Sequence, residues 1–115
     1  VDAVLETIKT SLGIPYDYGK YKGAATQLPD AFIVYTRIRS PAETWADGVI
    51  KTVQHRIQIS YYTRTPSTLE TVPDQIDAAM HAAYFTGGEW TDFPYFEETG
   101  HHGTHADFYY FERKG

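Results

Sequence analysis

Asp47-Gly48 stands between two runs that alternate with a period of two, Phe32 to Ile38 and Val53 to Tyr61. A two-residue Asp-Gly loop favours a type I′ hairpin, because both central positions take positive φ. The turn therefore predicts Ala46 opposite Val49 and Trp45 opposite Ile50. Carried down both strands, this register sets Ile38 against Ile57, Thr36 against Ile59 and Val34 against Tyr61 on one face. Tyr35 with Ser60 and Arg37 with Gln58 share the other. A slip of one residue would send every side chain to the wrong side. The same register puts Trp45 and Ile50 on the face opposite the core and sets Arg39 against Arg56. Two like charges facing each other are unfavourable unless an anion or a partner intervenes. Pro41 lacks an N–H and marks an edge or a bulge, and a bulge would switch faces beyond it. The residues from Pro41 to Ala46 alone reach roughly 20 Å when extended. The segment 37–58 is thus read as a β-hairpin arm that outruns its own domain.

The rest of the chain supplies that domain. Its 115 residues suffice for one core, and no linker or repeat divides them, so 1–115 is read as a single α+β domain. Val1, Val4, Leu5, Ile8 and Leu12 form one helical stripe, closed by Gly13 at a C-cap position and by Pro15. Ile14, Tyr16 and Tyr18 alternate as a strand, and "GAATQLPD" reads as a loop. Ser67 to Phe85 is a second helix with an apolar stripe of Leu69, Val72, Ile76, Ala79, Met80 and Ala83. Ser67 and Glu70 have capping-box spacing. Pro73 deep in a helix is costly, so the regular helix is placed to begin near Thr71, and Gly87-Gly88 to end it. Glu89 to Thr99 and Thr104 to Arg113 read as a closing hairpin around Gly100–Gly103, with Pro94 on an edge. A four-residue loop there sets Glu98 opposite His105. Two helical stripes need a sheet face. The expected architecture is a two-layer sandwich, with a largely antiparallel sheet of about four to five strands packed against two helices and a projecting hairpin.

Little in the chain points to chemistry. Cysteine is absent, which excludes disulfides and thiolate metal sites. Ten Lys and Arg against fifteen Asp and Glu leave a net charge of −5, the wrong balance for a groove that grips phosphates. No apolar run approaches membrane-spanning length, and no charged-then-apolar leader opens the sequence. "TGGEW" lacks the lysine and spacing of a phosphate loop, no serine nucleophile elbow is present, and no carboxylate pair stands out. Three imidazoles in "HHGTH", His101, His102 and His105, could ligate zinc or nickel. In a hairpin turn, His101 and His102 point apart, and the plainer reading is an exposed polar turn. His55, on the apolar side of its strand, and His81, on the second helix, read as packing histidines. Arg37, Arg39, Lys51 and Arg56 form a local basic group, either a solvated strand face or a surface for an acidic partner. Trp45, two residues from the turn, either folds back over a sheet edge or anchors a contact with another chain.

The order of these segments resembles a family, the tail-terminator or tail-completion proteins of long-tailed bacteriophages and related prophages. The resemblance spans nearly the whole chain. It rests on the helix ending in "LGIP", then "LPDAFIVYTR", the turn "WADG", "VQHRIQISYYTR", a helix after a Thr/Ser-Pro start, and the closing "FPYFEETGHHGTHADFYYF". It implies a structural protein without catalysis or cofactor. Such proteins stop growth of the tail tube, form a ring on its end, typically a homohexamer, and present a docking surface to the head connector. DNA passes through the lumen without being held. The implied location is the tail or neck of the virion, and the host cytoplasm during assembly. In such a ring, the expected interface residues are Arg37, Arg39, Trp45, Asp47, Ile50 and Arg56 on the arm, with Glu97 and Glu98 as a receiving surface. Four alternatives stay open. They are another neck component such as a head-completion or stopper protein, a metal-dependent enzyme built on His101, His102 and His105, a small ferredoxin-like binding module, and a nucleic-acid binder.

Overall fold

The apolar stripe of the first segment winds into helix α1 (Asp2–Leu12), burying Leu5 and Ile8 fully and Val4 partly. Gly13 follows at φ +70°, and its N–H closes on the Lys9 carbonyl at 2.9 Å, the left-handed cap that glycine adopts at little cost. A computed structural model describes residues 2–19, 28–40, 45–46, 49–50 and 52–113, with side chains at 3–19, 28–37 and 54–110. After α1 come strands β1 (Tyr16–Tyr18), β2 (Ala31–Ser40), β3 (Trp45–Ala46), β4 (Val49–Ile50) and β5 (Thr52–Thr63). Helix α2 (Thr68–Ala82) leads to β6 (Thr86–Gly87), β7 (Thr91–Asp92) and β8 (His102–Arg113). The main sheet has six strands in the order β1-β2-β5-β8-β6, with β7 also on β8, while β3 and β4 pair separately. Of these, β6 is the strand not expected, while β7 lies within the strand expected from Glu89 to Thr99; each has two residues and lines the edge of β8. All pairings are antiparallel except β1 with β2, which run parallel.

Both helices pack on one face of this sheet. Leu5, Ile8 and Ile14 meet Val72, Ile76 and Met80 over Ile33, Ile57, Ile59, Tyr61, Ala106 and Phe108, all buried. The opposite face carries a smaller aromatic cluster at one end. Phe32 stacks on Tyr62 at 5.0 Å, and Phe93 lies nearly parallel to Tyr62 at 5.8 Å. Burial there pushes the Tyr62 phenol up from its ordinary pKa, and a hydrogen bond with Ser60 pulls it back in part. Arg64 ties this end together. Its guanidinium donates to the carbonyls of Thr99 at 2.9 Å and Leu28 at 3.1 Å and pairs with Asp30 at 2.9 Å.

Several expectations change here. The turn register holds at the tip, where Trp45 pairs with Ile50 and Ala46 with Val49. At the base the partners are Ile33 with Tyr61, Tyr35 with Ile59, Arg37 with Ile57 and Arg39 with His55, one residue out of step. Four residues separate Ser40 from Trp45 but three separate Ile50 from Gln54, which accounts for the offset. Ile33 and Tyr35, rather than Val34 and Thr36, therefore contribute to the helix-side core. The repulsion expected between Arg39 and Arg56 also disappears, since Arg56 faces Ile38.

Helix α2 starts at Thr68 and runs through Pro73, which is buried in its second turn. Ser67 makes no side-chain cap. The Thr68 hydroxyl instead lies 3.0 Å from both Tyr61 Oη and Thr63 Oγ1 and 2.8 Å from the Thr65 carbonyl. The helix ends at Ala82, five residues before the glycine pair. The closing hairpin is mostly irregular. Its turn lies at 97–100, Phe96 bridges His101, and His105 faces Thr91 rather than Glu98.

Gly87 has a structural task of its own at φ +103°, where an added Cβ would collide with the Asp107 carbonyl. Gly87→Ala is expected to lower stability by about 2–3 kcal/mol, through both the backbone angle and the clash. Urea unfolding of the two proteins, with the slope unchanged, measures this.

Candidate functional site

The sheet outruns its helices. Strand β5 has 12 residues, about 40 Å of extended chain, whereas the 15 residues of α2 span about 22 Å. The ladders continue past the helix-covered region to Ser40 opposite Gln54 and Thr52 opposite Arg113. The arm is thus three-stranded at its root, because β8 accompanies β5 to its first residue. The two-residue ladder of Trp45–Ala46 and Val49–Ile50 lies farther along the chain. The molecule measures 54 × 24 × 22 Å along its principal axes.

Of the expected interface residues, Arg37 is exposed at the root of the arm. The Tyr18 hydroxyl lies 3.4 Å from its backbone nitrogen. Arg56 is on the face away from the helices, where it pairs with Asp107 at 3.1 Å, a half-exposed ion pair that contributes little to stability. Glu97 and Glu98 are exposed in the turn at 97–100, at the end of the sheet held by Arg64 and remote from the arm. Asp47 and Lys51 lie outside the described residues, as do the side chains of Arg39, Trp45 and Ile50. For these three the structure gives only backbone placement, in β2, β3 and β4.

The histidines do not converge. His101 is almost fully buried, contrary to the exposed turn expected of it. Its Nε2–H donates to the Pro29 carbonyl at 2.9 Å, and its ring lies edge-on to Phe32. His102 packs against Tyr95 at 4.7 Å, and His105 stacks on Phe93 at 4.5 Å. Each imidazole is thus engaged by a different aromatic ring. Among the described residues no group of three or more His, Asp or Glu is placed to hold a metal ion. His81 accepts a packing role, with its Nε2 3.0 Å from the Gly87 carbonyl and its ring against Phe108.

Sequence reasoning missed one feature. On the helix side of the arm root is an open concavity of about 450 Å³, lined by Val4, Ile57, Phe85 and Tyr110 among others. His55 also borders it, 6.0 Å from the Tyr110 ring, which in turn lies 5.7 Å from Phe85. The site forms where α1 begins and α2 has already ended, so three distant segments make it. The visible signal was the run "AAYFTGG", whose two aromatics were absorbed into a helix reading.

No protein-family model and no curated protein matches this chain.

His101→Ala is expected to lower stability by about 2–4 kcal/mol, since it opens a buried space and strips the Pro29 carbonyl of its donor. Thermal melts would show the loss, and zinc binding by the two proteins should be equally weak.

Proposed function

We propose that this chain is a structural assembly protein that forms a ring closing the end of a phage-type tail tube and joining it to the head connector. The observation that supports this best is the sheet end without helical cover. A ladder of three strands runs past the helix layer to Ser40, Thr52 and Arg113, and between Ser40 and Thr52 along the chain the Trp45–Ala46 segment pairs with Val49–Ile50. Tryptophan and β-branched residues on a projecting ribbon gain stability when a second surface removes them from water. In a cyclic ring every contact is heterologous, so an arm meets a different surface on the next copy. The elongated form, more than twice as long as wide, suits that head-to-tail contact.

The charge and the chemistry agree with the reading. A net charge of −5 disfavours a phosphate grip, as suits a lumen through which DNA passes. No helix among the described residues is long and apolar enough to cross a membrane. The partners are then further copies of the chain, the tail-tube protein below and the connector or completion protein above, with no catalytic step and no cofactor.

Trp45→Ala combined with Arg39→Glu is expected to reduce the assembly to smaller species while the far-ultraviolet circular dichroism stays unchanged. Light scattering coupled to gel filtration reads the mass. Survival of the wild-type oligomer in the double variant would remove the arm from the interface. A wild-type chain that stays single at high concentration, with no affinity for tail-tube protein, would end the proposal itself.

A further inference from the structure

Among the described residues, Tyr84 alone takes positive φ without being glycine, at +69°. Its position explains the angle. The Phe85 N–H bonds to the Met80 carbonyl and the Tyr84 N–H to that of His81, at 3.0 Å each. This is the Schellman closure, in which the residue after the cap is left-handed and usually glycine. Every other positive-φ position described here, including Gly13 and Gly100, is glycine. A bulky L-residue there is strained by its own Cβ, and the strain persists only where something offsets it. The two closure hydrogen bonds offset it in part, while Tyr84 itself is 85% exposed, so its ring adds no buried contact to that balance. It borders the concavity at the arm root, beside Tyr110, which is itself 39% exposed. A strained and solvent-exposed aromatic ring on the rim of an apolar hollow is the mark of a contact surface.

Charge and reach identify the occupant. Among the described residues the polar side chains lining the hollow are Arg37 and His55, with two tyrosine hydroxyls and no carboxylate. The arm segment 40–50, "SPAETWADGVI", carries Glu43 and Asp47, no Lys or Arg, and an apolar remainder that includes Trp45. Along the extended β5–β8 ladder the chain leads away from its own hollow. Thr52 is already five residues up β5 from Ile57, roughly 16 Å of extended strand, and the Trp45–Ile50 pair comes beyond it. We propose that the hollow at the arm root, rimmed by Tyr84, seats the arm tip of a second copy of this chain, its acidic turn against Arg37. This rests on the ring reading above and names the receiving surface within it, in place of the turn carrying Glu97 and Glu98. The contact is heterologous, tip to root, and leaves each copy with one tip and one seat to offer.

Tyr84→Gly separates the seat from the fold. Removing the ring relieves the strained backbone, so the dissociated chain should melt about 3–6 °C higher. Association should weaken at least about tenfold, from loss of a central aromatic contact. A merely structural tyrosine would move the melt the other way. Arg37→Glu should also weaken association, and adding Asp47→Arg to the same chain should restore it. Sedimentation velocity over a dilution series measures association, and scanning calorimetry at the dilute end measures the melt. If Tyr84→Gly associates like the wild type, or the double reversal fails to recover assembly, this seat is wrong while the ring reading stands. A wild type without any self-association overturns both.

Discussion

Everything in this structure depends on β5, a 12-residue strand paired along its whole length with β8 and along ten residues with β2. One face of it, Ile57, Ile59 and Tyr61, forms the floor under both helices. The other begins with Tyr62 in the aromatic cluster and runs out through Ser60 and Gln58 to the Arg56–Asp107 pair. A strand can be buried only where a second layer covers it. A 15-residue helix is too short to follow 12 strand residues to their end. The mismatch between 1.5 Å and about 3.3 Å of rise per residue turns a sandwich of this size into a body with an arm.

The two ends of the sheet differ accordingly. At one end Arg64 gathers Leu28, Asp30 and Thr99, His101 holds the Pro29 carbonyl, and aromatic rings cover the second face. Loops and side chains of the same chain cover this end, though the Nδ1 atoms of His101 and His105 are buried there without a hydrogen-bond partner. At the other end the ladder continues, while among the described residues its cover stops at α1 and at the Tyr84 turn. Among the described residues one end of the sheet is thus closed by its own loops and rings, and the other runs on beyond the helices. Tyr84, left-handed and 85% exposed, stands at that same end.

Two-sided burial also decided where sequence reasoning failed. Phe32, Ile33, Val34 and Tyr35 are four apolar residues in succession. Such a run has no readable parity, because both faces of the strand are covered at that point, Ile33 by helices and Phe32 by Tyr62 and His101. The turn register was sound for the tip but could not be carried to the base, where tertiary burial sets parity. The histidines misled for a related reason. Spacing placed three imidazoles close together, but alternation along β8 and separate aromatic partners kept them apart.

Local chemistry by itself determined the elements: α1 with its Gly13 cap, the Asp-Gly turn pairing, a second helix, an α+β layering and a hairpin too long for its domain. These follow from periodicity and backbone preference, which act over a few residues. Contacts between distant segments decided the rest. They are the parallel pairing of β1, the one-residue offset within the hairpin, the burial of His101, the end of α2 at Ala82 and the hollow assembled from α1, the Tyr84 turn and the arm root. Each is a choice among locally similar conformations, settled by which surfaces meet, and no short window of sequence contains that information.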